Sequence, residues 1–187
     1  TSRIVRAAQG RPVFEFGSRR AQGYDAAVLG ARAAYIAGAD GTSCTICGEH
    51  FGVPVFGTMA HSWIQAFDSE YDAFSAYARS FPDHTVLLVD TYNVLKSGVP
   101  NAIQTAKNVL EPMGYRLRGI RIDSGDLTYL TLKARELLDR SGLHDCQITV
   151  SNSLDEYIIR DLIQQGAAVD SFGVGERLIT SRAEPVF

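Results

Sequence analysis

A histidine, two aspartates and a pair of arginines each follow a short apolar run in this chain, beside small or glycine-rich turns. His61 lies in Gly57-Thr58-Met59-Ala60-His61-Ser62. An imidazole at such a turn can be a nucleophile, a base or a satisfied loop histidine. Asp90 opens Asp90-Thr91-Tyr92, and Asp123 sits inside Arg121-Ile122-Asp123-Ser124-Gly125-Asp126-Leu127. Carboxylates so placed can bind ribose hydroxyls or a metal-bound diphosphate, orient a histidine, or cap their own loops. Arg19-Arg20 offers planar donors for a carboxylate or phosphate, or else a solvated pair with packed stems. Phe16, just before it, can stack on a planar ring or fill the core. Ser124-Gly125 and Gly173-Val174-Gly175 can turn their amides toward a phosphate or serve as plain connections.

The elements that must hold these groups alternate in type. Short apolar runs occur at Pro12–Phe16, Val53–Gly57, Thr85–Asp90, Leu117–Asp123, Gln147–Ser151 and Val169–Gly173. Near-continuous apolar runs suit strands buried on both faces of a parallel sheet, and the spacing leaves room for crossover helices. Helical stripes lie between them. Tyr24, Ala27, Val28, Ala31 and Tyr35 share one face. Pro100 starts a second stripe through Ile103, Ala106 and Leu110 that Gly114 stops. Leu127, Leu130, Ala134, Leu137 and Leu138 make a third, ended by Gly142. Ser153 and Glu156 have capping-box spacing before Ile159, Leu162 and Ile163. The aromatic residues of 62–81 read as amphipathic packing or a subunit contact.

Six strands with five crossovers imply an α/β fold, either an open doubly wound sheet or a partial, irregular β/α barrel. No Gly-x-Gly-x-x-Gly follows the first strand, which favours the barrel. In both folds the functional edge is the carboxyl end of the strands, where all the polar groups above fall. A whole barrel needs about 250 residues. The 187 residues, running from Thr1 to Phe187, are therefore expected to form one β/α domain incomplete at both ends. An open wall would leave core-facing groups such as Phe187 unpartnered, and the piece alone is expected to lack activity.

Composition excludes some classes. The formal net charge of -3 argues against nucleic-acid or membrane-surface binding. No apolar run is long enough to span a bilayer, and no signal peptide is visible. Three cysteines make no disulfide framework, which fits the cytoplasm. Cys44-x-x-Cys47 has no second pair and reads as two helix-packed thiols rather than a metal or redox site.

Read in order, the strand endings resemble those of the nicotinate phosphoribosyltransferase family. The matching motifs are Glu-Phe-Gly-x-Arg-Arg-Ala-x-Gly at 15–23, Gly-Thr-x-Ala-His-Ser at 57–62, Asp-Thr-Tyr at 90–92, Arg-x-Asp-Ser-Gly-Asp-Leu at 121–127 and Phe-Gly-Val-Gly at 172–175. The resemblance implies the joining of nicotinate to 5-phosphoribosyl 1-diphosphate, giving nicotinate mononucleotide and diphosphate for NAD synthesis. It implies coupling to ATP through a phosphorylated histidine, with Mg2+ assisting. On that basis His61 is the phosphorylated residue, Asp90 orients it, and Asp123 serves the ribose. Phe16 stacks on the pyridine ring, while Arg19 and Arg121 lie near the nicotinate carboxylate and the phosphoribosyl group. The amides of Ser124, Gly125, Gly173 and Gly175 hold the 5-phosphate. Gly41-Thr42-Ser43 corresponds to a substrate-selecting loop, where the nicotinamide-using relative carries an aspartate at the position of Ser43. Glu176 departs from the small hydroxyl residue more usual after Gly175. The family's site is often closed from a neighbouring subunit, which makes a homodimer compatible with this chain. The alternatives are the nicotinamide-using relative, another phosphate-binding barrel enzyme, and an inactive structural fragment.

Overall fold

A computed structural model describes residues 1–180. Phe187, expected to be an unpartnered core group, lies outside the described residues. In chain order the elements are α1 (Ser2–Ala7), β1 (Val13–Glu15), α2 (Tyr24–Ile36), β2 (Gly41–Thr42), α3 (Thr45–Phe51), α4 (His61–Gln65) and α5 (Glu70–Ser80). They continue with β3 (Val86–Leu88), α6 (Val99–Thr105), β4 (Gly119–Ile122), α7 (Leu127–Arg140), β5 (Gln147–Val150), α8 (Glu156–Gln164), β6 (Ser171–Val174) and α9 (Glu176–Ile179). The fold class is α/β, of the partial β/α-barrel type with parallel strands that the sequence implies. Among the described residues no helix is long and apolar enough to cross a membrane. The chain gathers into two compact units.

The first unit comprises Thr1–Gly57, Ser151–Gly166 and the described residues from Asp170 onward. Here β1 pairs in parallel with β2 on one side and β6 on the other. The side chain of Asp40 accepts from the Val13 amide at 2.8 Å, and the Asp40 amide donates to the Val13 carbonyl at 2.8 Å. This reciprocal pair sets the register that brings Glu15 beside Thr42. Val13, Phe172 and Val174 are fully buried, with Val28, Ala31 and Ala34 of α2 also in the core. The α2 stripe is narrower than expected, since Tyr24 and Tyr35 are exposed. Small residues line the buried face, while the phenol rings keep their polar ends in water. Cys44 and Cys47 pack with Val28, Ala31 and Val53, as helix-packed thiols should.

The second strand is Gly41–Thr42, not Val53–Gly57. The expected run makes a single parallel bridge between Val55 and Thr42. Pro54 has no N–H to offer a ladder, and only its carbonyl engages, accepting from the Thr42 amide at 2.9 Å. Val55 and Phe56 are exposed, so this run is not buried on both faces. The last strand also starts later than expected, at Ser171, and includes Gly173 and Val174.

The second unit comprises Thr58–Val150 with Ala167–Val169. Its strands β3, β4 and β5 are parallel, with Arg121 aligned to Leu88 and Thr149. Leu87, Ile120, Ile122, Ile148 and Val150 are buried, as are Phe74, Leu110 and Leu138 from the helices. The helical stretch after β3 begins earlier than Pro100, as one π-type turn over Val94–Gly98, and widens again over Ala106–Leu110. A left-handed Gly114 ends it, as its position predicts. Asp126 caps α7 by accepting from the Tyr129 amide.

The cap of α8 differs from expectation. Asp155, not Ser153, accepts from the Tyr157 and Ile158 amides, at 3.0 and 2.9 Å. Ser153 instead takes a positive φ of 51° and bonds the Asn152 side chain. A carboxylate one residue ahead of the helix reaches these amides at shorter range and adds charge favourable to the helix dipole. Asp155→Ala should therefore lower stability by about 1 kcal/mol, and Ser153→Ala should leave it nearly unchanged. Urea unfolding of both variants checks the order, and equal losses would contradict it.

Candidate functional site

Polar groups collect at the carboxyl ends of the strands, and each unit holds its own set. In the second unit β3 ends just before Asp90 and β4 ends just before Asp123. The Asp90 side chain is almost fully buried. Its Oδ2 accepts from the Asp123 amide at 3.0 Å and from the Ser124 hydroxyl at 2.6 Å. Its Oδ1 makes no hydrogen bond and lies 3.8 Å from His61 Nε2. Asp123 Oδ2 lies at the same 3.8 Å from that nitrogen. Two carboxylates thus flank one edge of the imidazole, at electrostatic rather than hydrogen-bonding range. The other edge is held directly, with Nδ1 3.1 Å from Thr91 Oγ1. His61 begins α4, and its side chain is 40 % exposed, so the ring is anchored yet open.

Arg121 points from β4 into the same group. One guanidinium nitrogen donates to Thr58 Oγ1 at 3.0 Å and the other pairs with Asp123 Oδ1 at 3.0 Å. The structure therefore brings His61, Asp90, Arg121, Asp123 and Ser124 together. Gly125 follows in the loop to α7, in the left-handed region with φ 85°. Asp90 does not bond His61 directly, and Thr91 does. Thr58 and Thr91 were not singled out from sequence, although both lie inside the motifs. Their partners lie 63 and 30 positions away in the chain, so no local signal marks them.

In the first unit the ends of β1, β2 and β6 carry the other set. Phe16 follows β1 and is half-buried, with its ring stacked against Phe14 at 6.5 Å between centroids. Arg19 and Arg20 lie exposed in the one-turn helix Ser18–Arg20. Ser43 is exposed directly after β2, and its amide donates to the Glu15 carbonyl at 2.8 Å. Arg20 sits 4.0 Å from the Glu176 carboxylate.

The two late glycines have different surroundings. Gly175 lies after β6, where an added Cβ would meet the Phe16 carbonyl at 2.8 Å. Gly173 is inside β6 rather than in the turn, paired with Phe14. Its missing side chain leaves the space for the Phe16 ring, since a Cβ there would be 2.5 Å from that ring.

Glu15 is the residue that sequence reasoning passed over. It is buried, with Thr42 Oγ1 donating to Oε2 at 2.5 Å and the Gly17 amide donating to Oε1. Burial pushes its carboxyl pKa up, while the Thr42 and Gly17 hydrogen bonds pull it down. Among the described residues no group of three or more His, Cys, Asp or Glu side chains is arranged to hold a metal.

The model of the nicotinate phosphoribosyltransferase (NAPRTase) family matches residues 12–184. The chain belongs to this family. A nicotinate phosphoribosyltransferase of Mycobacterium tuberculosis is 48% identical over 186 residues, covering 98% of this chain and 39% of that protein. The Bacillus subtilis nicotinate phosphoribosyltransferase is 49% identical over 171 residues, covering 91% of this chain and 34% of that protein. The crystal structure of the human nicotinic acid phosphoribosyltransferase superposes with a TM-score of 0.85 at 29% identity, over 93% of this chain and 45% of that one. The chain therefore spans less than half the length of these relatives. The five motifs that carry the family likeness all lie within the matched residues.

The seating of Phe16 yields a direct check. Gly173→Ala should destabilise the protein by about 1–3 kcal/mol, because its methyl group enters the space of the Phe16 ring. Adding Phe16→Ala should remove that penalty, so that the double variant is no less stable than Phe16→Ala alone. Additive losses in urea unfolding would show that the two residues do not share this space.

Proposed function

We propose that this chain carries the catalytic β/α portion of a nicotinate phosphoribosyltransferase acting in NAD synthesis. The observation that carries the reading is the His61 cluster, an open imidazole held by Thr91 and flanked by Asp90 and Asp123. In the proposed reaction the pyridine nitrogen of nicotinate bonds to the anomeric carbon of 5-phosphoribosyl 1-diphosphate. The carbon–oxygen bond to diphosphate breaks, and diphosphate leaves with the electron pair. Positive charge builds on the ribose in the transition state, and a fixed carboxylate such as Asp123 stabilises it. Arg19 and Arg121 are assigned to the anionic groups, through planar donors that suit carboxylate and phosphate. Phe16 is assigned to the face of the pyridine ring. The amides of Ser124, Gly125 and Gly175 are assigned to the 5-phosphate, while the position of Gly173 within β6 favours a role in seating Phe16.

ATP coupling is proposed to run through His61. A ring nitrogen attacks the terminal phosphorus of ATP, a nitrogen–phosphorus bond forms, and the bond to ADP breaks. Asp90 and Asp123 offset the positive charge that the ring acquires. Mg2+ is assigned to the phosphate groups of the substrates, its usual partners, rather than to a dedicated set of side chains. Three free cysteines among the described residues accord with a cytoplasmic setting.

His61→Ala in the full-length protein should abolish transfer of labelled terminal phosphate from ATP to the protein and remove ATP stimulation. Slow ATP-independent transfer to nicotinate should persist. Undiminished phosphohistidine in the variant would overturn the assignment.

Ser43 is proposed to favour nicotinate because a neutral side chain does not repel a carboxylate. Ser43→Asp should shift the ratio of specificity constants toward nicotinamide by about ten- to hundredfold, the scale of one desolvated hydrogen bond. An unchanged ratio in a folded variant would place the selecting position elsewhere.

A further inference from the structure

We infer that Glu15 is a positioning residue that locks the ring-holding turn to the substrate-selecting loop, so that ring recognition depends on a hydrogen-bond chain through Thr42. The inference rests on the proposed roles of Phe16 and Ser43. Its basis is a continuous set of contacts within the first unit. The Cys44 amide donates to Thr42 Oγ1 at 2.9 Å. Thr42 in turn donates its hydroxyl to Glu15 Oε2 at 2.5 Å. The other carboxyl oxygen accepts from the Gly17 amide. The Ser43 amide closes the frame on the Glu15 carbonyl at 2.8 Å.

Each end of this chain lies beside a proposed ligand contact. Phe16 stands between Glu15 and Gly17, and Ser43 stands between Thr42 and Cys44. The carboxyl group reaches its turn only because residue 17 is glycine, since a Cβ there would come within 2.7 Å of Oε1. Glu15 is 1% exposed, too deep to touch a ligand in the turn above it. A buried polar group in low dielectric holds its partners more tightly than a surface one, and losing one partner leaves the rest unsatisfied. Glu15 therefore acts through Phe16 and Ser43.

The test uses the full-length protein with Thr42→Val, Thr42→Ser, Glu15→Ala and Phe16→Ala. Valine keeps the shape of threonine but cannot bond Glu15 or accept from Cys44. Thr42→Val should raise the KM for nicotinate about tenfold and lower the preference for nicotinate over nicotinamide. The KM for 5-phosphoribosyl 1-diphosphate should stay within about twofold, and Thr42→Ser should restore both ring parameters. Glu15→Ala should act in the same direction. If Glu15→Ala fails to fold, the two Thr42 variants decide alone. Parallel loss for both substrates, or no rescue by serine, would reduce Glu15 to a general structural role and overturn the inference. If Phe16→Ala raises the nicotinate KM while Thr42→Val does not, the coupling fails and the ring site stands. If neither changes it, the reading of the ring site fails and the inference falls with it.

Discussion

The arrangement of the second unit turns on one buried carboxylate. Asp90 follows β3, a strand of apolar residues, and its side chain has little access to water. Such a group is tolerable only where donors meet it. The Asp123 amide and the Ser124 hydroxyl supply two donors on Oδ2. These bonds tie the loop after β3 to the loop after β4 and thereby place Asp123, Arg121 and His61 in one cluster. Oδ1 is left without a hydrogen bond, facing the imidazole edge at 3.8 Å. That oxygen sets a carboxylate beside the ring edge, where the proposed phosphoryl-carrying role of His61 would place positive charge.

The first unit solves a related problem in another way. Its buried carboxyl, Glu15, is satisfied by an amide and a hydroxyl from two different turns. The price of burial appears as a raised pKa, and the return is a fixed spacing between the residues that follow β1 and β2. The same unit uses the bare backbone of Gly173 as the seat of Phe16. Glycine in a strand ordinarily weakens it, but here it admits an aromatic ring against the sheet. In both units candidate site residues lie one or two positions beyond strand ends, Phe16 and Ser43 after β1 and β2, Asp90 and Asp123 after β3 and β4.

Much of this was legible in the sequence, and the reasons are local. The runs around Val13–Glu15, Val86–Leu88, Gly119–Ile122 and Gln147–Val150 are apolar enough to declare themselves as strands. The stripe of α7 and the stop at Gly114 are likewise written in spacing. Gly41–Thr42 was hidden because two small residues carry no periodicity. Val53–Gly57 had the right composition, but Pro54 limits its pairing to a bridge. The spacing of Ser153 and Glu156 imitates a capping box, whereas the observed cap, Asp155, has Ile158 three residues on and so carries no such signature. His61, Asp90 and Asp123 were legible as reactive types, and their convergence followed from the order of the motifs. Glu15 and Thr42 were not, because their bond joins residues 27 positions apart and neither type announces a buried role. Thr91 was obscured for the same reason, since its bond to His61 spans 30 positions.

The central claim is that these residues serve phosphoribosyl transfer to nicotinate with ATP coupling through His61. The most direct measurement is formation of nicotinate mononucleotide by the full-length protein from nicotinate and 5-phosphoribosyl 1-diphosphate, with and without ATP. The account predicts product in both conditions, faster with ATP, with diphosphate released in equal amount and ATP hydrolysed alongside. Absence of nicotinate mononucleotide from folded protein supplied with both substrates, Mg2+ and ATP would contradict the claim. Product formation wholly indifferent to ATP would leave the transfer chemistry standing and contradict the role given to His61.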